Sequence, residues 1–475
     1  MTDPGPSSLA ELEARLARDL ELLILPAPEW SPPHGDLLDV AIVGAGMAGL
    51  TAAFALQRLG IRNIRLFDRA PAGLEGPWAT YARMETLRSP KHLVGPALGF
   101  ANLTFRAWFE AQFGAAEWER LGKIPRLQWL DYLRWYRTVL KLPVENGVEL
   151  TGLSGTQDGV VLSLRRQGVE TRVAARRVVL ANGRDGLGGP YVPELWRGVD
   201  RRFWRHAHED IDFAALRGKS VAVIGGGAGA TDNAASALEA GAARAAMLLR
   251  RTEVPRVNKS LGISNPGLAL GFHGLSDARR WEQTQYVADS AIPAPRDSML
   301  RCSRHPSFEL RTSVAIDAVR TEGGHVVLET ARGDLAYDFV ILATGFTVDW
   351  AQRPELAALA GTALLWRDRY VPPGWEEHQF ADHPYLGPAF EFVERSPGAA
   401  PWIGRVHAFN YAATLSHGKV TGDIPAISFG AERLAEGIVT RFYEEDYAVH
   451  HQRLLDFATP ELHGDEWTVA EEAAA

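Results

Sequence analysis

Two short glycine-rich turns constrain this 475-residue chain more than any other feature. The first follows the apolar run Asp39-Val40-Ala41-Ile42-Val43 and reads Gly44-Ala45-Gly46-Met47-Ala48-Gly49. The second follows Val221-Ala222-Val223-Ile224 and reads Gly225-Gly226-Gly227-Ala228-Gly229-Ala230. Each apolar run predicts a buried parallel strand, and each turn opens an alanine-rich helix. Glycine at the first two places lets the chain reverse sharply and its backbone approach a pyrophosphate. The small third residue, Gly49 or Ala230, permits close helix-to-strand packing. The positive end of the helix then faces the anion. One such turn is weak evidence, because glycine also serves ordinary turns. Two of them, both between a strand and a helix, predict two dinucleotide sites in one chain.

The residues beyond each turn separate the two ligands. The strand Asn63-Ile64-Arg65-Leu66-Phe67-Asp68 ends on an acid about 20 residues past the first turn. A carboxylate there accepts both ribose hydroxyls and repels a 2′-phosphate, which suits FAD. Arg69 is a second candidate at that edge, with a solvated surface charge as its competing reading. The second unit has no such acid. Its next strand, Met247-Leu248-Leu249, runs into Arg250-Arg251. Guanidinium groups at this place can hold a 2′-phosphate through paired hydrogen bonds, which points to NADPH; a solvated arginine pair is the alternative.

An internal near-repeat predicts how the units are joined. Residues 148–183 read strand, hairpin, strand, turn, strand and close on Asn182-Gly183; residues 313–345 repeat that order and close on Thr344-Gly345. Glycine at both crossings lets the backbone pass close to a cofactor, so Asn182, Thr344 and Gly345 join the cofactor-binding candidates. The expected fold is α/β, with two Rossmann-like dinucleotide-binding domains and the NADPH domain inserted in the FAD domain. The expected limits are 1–35 for an N-terminal helix and linker, 36–199 and 346–475 for the two parts of the FAD domain, and 200–345 for the NADPH domain. Leu9, Leu12, Leu16, Leu20 and Leu23 predict an amphipathic helix from Ser8 to about Ile24, with Ser8 as its cap. Packing against the body of the protein is its simplest use, and a homodimer contact is the other.

Composition excludes several classes. With 50 basic and 58 acidic residues the net charge is −8, which argues against nucleic acid and against an anionic membrane surface. No apolar run approaches the roughly 18 residues of a membrane span. Asp3, Glu11 and Glu13 do not resemble an export signal. The single cysteine, Cys302, fits a cytoplasmic protein and excludes a redox cysteine pair. The 14 histidines lack metal-ligand spacing, and His206 and His208 are expected on opposite faces of a strand. The aromatic run Trp108, Phe109, Phe113, Trp118, Trp129, Tyr132, Trp135 and Tyr136 reads as helix core.

With both turns in place, Gly76-Pro77-Trp78, Ile124-Pro125-Arg126-Leu127-Gln128-Trp129-Leu130-Asp131-Tyr132-Leu133 and the stretch Asp338 to Phe346 complete a pattern. From about Leu38 to Phe442 the chain resembles the class B flavoprotein monooxygenases: the flavin-containing, Baeyer–Villiger and N-hydroxylating enzymes. It departs from them in Phe346, where the N-hydroxylating branch has tyrosine. Trp196-Arg197-Gly198, followed late by His206 and His208, stands in place of the Phe-x-Gly-x-x-x-His signature. Arg88, three residues before Lys91, stands where the flavin-containing branch has a flavin-contacting asparagine.

The resemblance implies an enzyme in which NADPH reduces FAD and a flavin C4a-(hydro)peroxide passes one oxygen of O2 to a small organic substrate. It adds Gly76 and Trp78 to the cofactor residues and places Arg88 and Lys91 near the flavin ring, against the simpler reading of a polar surface loop. It makes Asn410, with His417, a candidate for lining the reaction centre before a helix expected from about Pro425 to Phe442; a structural role is the alternative. A cation at Arg88 would favour the peroxide anion and hence ketone or aldehyde substrates. The competing function is an NAD(P)H-dependent flavin oxidoreductase without oxygen transfer, whose usual members need the cysteine pair this chain lacks.

Overall fold

The computed structural model describes Pro6 and residues 8–469. The expected outer segments, 1–35 and 346–475, therefore reach beyond the described residues at both ends. Helix α1 (Leu9–Leu22) starts where its sequence places it: the Ser8 hydroxyl accepts the Glu11 N–H, and Leu12 and Leu16 are fully buried. Leu23 lies past the helix and is 58% exposed, so the apolar stripe is shorter than its spacing suggested. Asp19 accepts a hydrogen bond from Asn102, and Glu13 one from the Trp135 indole; α1 thus packs on the body of the protein.

The first sheet unit comprises β1 (Leu38–Val43), α2 (Met47–Arg58) and β2 (Ile64–Asp68), then α3 (Phe105–Phe113), α4 (Ala115–Arg120) and α5 (Arg126–Val139). It continues with β3 (Val144–Asn146), β4 (Val148–Gly155), β5 (Val160–Arg166) and β6 (Val169–Leu180). Its order is β3-β2-β1-β6-β5-β4, with β1 parallel to both β2 and β6. Val40, Ala41 and Ile42 are buried on both faces of β1, as a central parallel strand requires. The aromatic run fills the helical layer beside this sheet. Trp108, Phe109, Trp118, Trp129, Tyr132, Trp135 and Tyr136 are buried, and only Phe113 of that set is exposed. Tyr132 and Tyr136 stay satisfied inside by donating to the Leu103 and Pro96 carbonyls.

The chain then crosses through β7 (Gly188–Pro190) into a second unit, built from β8 (Trp204–His206), β9 (Ser220–Ile224), α6 (Ala228–Glu239) and β10 (Arg244–Leu248). It adds α7 (Pro266–Gly271), α8 (Asp277–Ser290), α9 (Arg296–Ser303) and β11 (Phe308–Arg311). After β12 (Ala318–Glu322), β13 (His325–Glu329) and β14 (Leu335–Tyr337), the strand β15 (Phe339–Leu342) enters the sheet beside β9. The resulting sheet, β11-β10-β9-β15-β8, is wholly parallel. The near-repeat is present with one difference. In the first unit β6 runs unbroken from meander to parallel sheet. In the second, the break falls at Asp338, whose carboxylate accepts both the N–H and the hydroxyl of Ser220, and β12-β13-β14 forms its own sheet.

The return crossing is β16 (Phe346–Val348), antiparallel to β7. Short helices α10 (Ala357–Ala360) and α11 (Trp366–Arg369) precede β17 (Val406–His407), which pairs with β6 and so restores the chain to the first sheet. Helices α12 (Thr414–His417), α13 (Ile427–Glu445) and α14 (Tyr447–Asp456) end the described chain, with α13 lying against α2. The second dinucleotide unit is thus inserted in the first. The expectation for the histidine pair is corrected: His206 closes β8, but His208 lies beyond the strand and its N–H donates to His206 Nδ1. Among the described residues no helix is long and apolar enough to cross a membrane.

Candidate active site

Each glycine turn has a steric reason that can be checked atom by atom. Gly44 has φ +101°, and a Cβ there would lie 2.5 Å from the Ala181 carbonyl oxygen, at the end of the strand that crosses to the second unit. At Gly49 a Cβ would stand 1.9 Å from the Gly44 oxygen, so only glycine lets α2 start this close to β1. The second turn repeats the geometry. Gly225 has φ +140°, and its Cβ would lie 2.5 Å from the Ala343 oxygen, at the other crossing. Gly183 and Gly345 follow those contacts with φ +86° and +87°, conformations that favour glycine.

The same turns leave room for ligands. A Cβ on Gly46 would meet no atom closer than the Gly76 Cα at 3.8 Å, while at Gly227 and Gly229 it would meet nothing within 4 Å. Met47 and Ala228 open the two helices, and neither N-cap glycine, Gly46 or Gly227, supplies a side-chain cap. The first-turn N–H groups of both helices are therefore available to an anion. Ala48 is partly exposed beside the first turn, and Ala230 is buried against the second.

Asp68 is buried at the end of β2. Its Oδ2 accepts the Ala45 N–H at 2.7 Å, inside the glycine turn, and its Oδ1 accepts the Ala70 N–H at 2.8 Å. Burial, the largest influence, raises its pKa, and those two N–H groups oppose the rise by favouring the anion. A carboxylate held this way keeps lone pairs free for ribose hydroxyls. Arg69 is exposed, with its guanidinium 3.7 Å from Asp185. Gly76 has φ +77°, and the half-buried Trp78 packs edge-on to Trp129 at 6.4 Å. The residues present fit FAD at the first turn. At the second turn Arg250 and Arg251 are both exposed past β10. Arg251 donates to the Asp289 carbonyl at 2.8 Å, whereas Arg250 has no hydrogen bond or ion pair among the described residues, as a phosphate ligand requires.

Two of the expected catalytic residues are tied to protein atoms. The Lys91 ammonium lies over the Trp118 ring at 4.9 Å and donates to the Trp118 and Glu119 carbonyls at 2.5 and 3.4 Å, which ties it to α4. Asn410 is buried, and its whole amide is engaged: Nδ2 donates to Asn182 Oδ1 at 2.9 Å and to the Leu180 carbonyl, and Oδ1 accepts the Ala412 N–H. Asn182 donates in turn to the Gly186 carbonyl, so these two amides knit β6 to the C-terminal segment. The Thr344 hydroxyl is likewise engaged, with the Tyr191 carbonyl. His417 is buried face-on against Phe390 at 3.9 Å, with Nε2 on the Gly387 carbonyl.

Arg88 behaves differently. It is accessible to solvent and makes no hydrogen bond or ion pair among the described residues. Desolvation is the largest influence on it and lowers its pKa; Asp232 on α6 and Asp423 ahead of α13 act in the other direction. It is therefore an uncommitted cation between the second unit and the start of the C-terminal helix. Sequence reading missed Asp232, a buried carboxylate whose Oδ1 finds no hydrogen-bond partner among the described residues, and its neighbour Arg301. No local pattern marks either, because their partners come from distant segments.

Two dinucleotide cradles, one unit inserted in the other, define a flavoprotein with a nicotinamide-dinucleotide unit. Residues 41–264 match the family described as pyridine nucleotide-disulphide oxidoreductase. The chain is 39% identical over 474 residues to an FAD-dependent urate hydroxylase of Xanthomonas campestris pv. campestris, covering 98% of this chain and 100% of that one. It is similar in fold to DfoA, a cadaverine monooxygenase of Erwinia amylovora solved with FAD (TM-score 0.66, 15% identity, 93% of this chain and 100% of that one). It is likewise similar to an ornithine N-hydroxylase of Kutzneria sp. 744 solved with reduced FAD and NADP+ (TM-score 0.65, 17% identity, 85% and 99%). The chain belongs to the class B flavoprotein monooxygenases, and it is an FAD-dependent enzyme that inserts oxygen into a small substrate. Thiol–disulfide chemistry is excluded by the residues themselves: Cys302 is the only cysteine, buried and bonded through Sγ to the Thr231 carbonyl, with burial pushing its pKa up to about 12.

Proposed function

We propose that this enzyme hydroxylates a planar, anionic purine of the urate class. The observation that carries this reading is the likeness to a urate hydroxylase along essentially the whole chain. Arg88 supports it independently, since a partly desolvated cation with no protein partner is suited to hold an anionic substrate. FAD, when bound and reduced, supplies the activation of O2; one oxygen atom enters the substrate and the other leaves as water, with NADPH providing two electrons. The chain's own residues do the rest. Gly44–Gly49 and Asp68 hold FAD, Gly225–Ala230 and Arg250 hold NADPH, and Arg88 orients the substrate.

An electron-rich purine accepts an electrophilic oxygen. Arg88 under this reading therefore holds a substrate anion, and the preference for ketones or aldehydes is set aside. The domain limits 36–199, 200–345 and 346–475 belong to the same reading, supported by the return of β17 to the first sheet. So do a cytoplasmic location, supported by the lone buried cysteine, and a homodimer, supported by exposed Leu454, Leu455 and Phe457 at the end of α14.

Urate with NADPH in air should give hydroxylated product in proportion to NADPH consumed. Peroxide release without product would remove the reading. In Arg88→Gln the urate KM should rise roughly tenfold to a hundredfold, the worth of one charge-assisted hydrogen bond. FAD reduction by NADPH without urate should be unchanged in that variant.

A further inference from the structure

Besides the crossing strands and the contacts of α8 with the C-terminal part (Arg280 to the Ser416 carbonyl, Trp281 beside Trp366), a short segment from residue 81 to 88 joins the two units on the side of α6 and α9. It is anchored to the first unit at its far end, where the Leu87 N–H donates to the Ile124 carbonyl at 2.8 Å and the Arg126 N–H to the Glu85 carbonyl at 3.0 Å. Nearer its start it reaches the second unit. The Arg83 guanidinium lies over the Phe213 ring at 5.2 Å and donates to the Glu209 carbonyl at 2.9 Å.

Arg301, on α9 of the second unit and 4% exposed, meets this segment. Its Nε and Nη2 donate to the two carboxylate oxygens of Glu239, at the end of α6, at 3.0 and 2.7 Å. The remaining Nη1 donates to the Arg83 carbonyl at 3.1 Å. Asp232 on α6 and Glu85 on the segment each place a carboxylate oxygen 3.6 Å away. One further ion pair, Lys123 to Asp297 at 2.8 Å, joins the units beside the start of α9. A planar guanidinium that serves three acceptors from two units has one arrangement only, which a point-charge lysine does not reproduce.

We infer that Arg301 is a positioning residue for the reduction of FAD by NADPH. It fixes α6, whose N-terminus receives the nicotinamide dinucleotide, against the segment that follows Gly76-Pro77-Trp78 over the flavin turn. Hydride transfer converts NADPH to NADP+ and depends steeply on the separation of donor and acceptor, so a shift of about 1 Å costs on the order of a hundredfold. The inference concerns the reductive half of the cycle and is tested without urate, so its failure is separate from that of the substrate reading.

The experiment uses the FAD-loaded Arg301→Gln protein. Anaerobic reduction by saturating NADPH should slow on the order of tenfold to a hundredfold. The NADPH concentration for half-maximal rate should move less than about threefold, and reduction by dithionite not at all. Arg301→Lys, which keeps the charge and loses the fork, should not restore the rate. Independently of turnover, amide hydrogen exchange should accelerate across residues 81–88 while β1, β2 and β6 keep their protection. A normal reduction rate with unchanged exchange overturns the inference. Should Arg301→Gln lose FAD or fail to fold, Glu239→Ala frees the same guanidinium from α6, where both carboxylate oxygens of Glu239 accept from it. Slow reduction is then the expected result, and a normal rate overturns the inference equally.

Discussion

Asp68→Asn separates the charge of the flavin-site acid from its shape. The two side chains are nearly isosteric, so the packing around β2 stays as it is. What changes is the acceptor count. Oδ2 and Oδ1 of Asp68 accept the Ala45 and Ala70 N–H groups at 2.7 and 2.8 Å, and asparagine offers one oxygen for both. Its NH2 must then face an N–H donor. An unmade charge-assisted bond costs about 1.5–3 kcal/mol, and the ribose hydroxyls lose an anionic acceptor of similar worth. Burial works the other way: it raises the Asp68 pKa by penalising the anion, and removing the charge relieves that penalty. The balance is about 2–4 kcal/mol, or a rise in the FAD Kd of roughly thirtyfold to a thousandfold. Fluorescence titration of the apoprotein with FAD measures it directly. NADPH affinity, measured in parallel, should be unaffected. An FAD Kd within about threefold of the parent's would refute the reasoning, because the carboxylate would then serve the turn alone.

Three further outcomes follow from the geometry. Arg250→Ala should weaken NADPH by about tenfold or more and leave NADH unchanged, measured as Kd for each; Arg251→Ala should do less, since that guanidinium already holds the Asp289 carbonyl. Gly225→Ala should abolish reduction by NADPH while FAD stays bound, because its Cβ would press on the Ala343 oxygen at φ +140°, and a variant that retains NADPH affinity would contradict the second-turn assignment. Acid should destabilise the fold from pH 6.5 downward. Burial holds the imidazoles of His206 and His383 down at about 4 and that of His407 at about 3, so the unfolded chain takes up protons first. Their contribution is complete above pH 6.5 and declines as pH falls towards 4, by about 1.4 kcal/mol per histidine at one unit below 6.5. Asp39, pushed up to about 6 by burial, acts in the opposite sense, and one carboxyl does not offset three imidazoles. A Tm that is flat between pH 7.5 and 5.5 would refute this.

The features legible in the sequence are those whose cause is local. Gly44, Gly49 and Gly225 are demanded by backbone atoms within one strand–turn–helix unit or at its neighbouring strand, so their spacing alone announced two dinucleotide sites. The acid at the end of β2, the alternation that made a three-stranded meander, and the serine that caps α1 are equally short-range. Charged and amide side chains away from the two glycine turns were less legible, because what such a group does depends on what desolvates it and what it can reach. Lys91 and Asn410 carry the chemistry of catalytic residues, yet folding brought each to carbonyl and amide partners, Trp118 for one and Asn182 for the other. Arg301, Glu239 and Arg83 lie far apart in the chain, and only the docking of α6 and α9 onto residues 81–88 makes them a single contact. Backbone conformation is settled by a residue and its neighbours in the chain, whereas the role of a charge is settled by its neighbours in space.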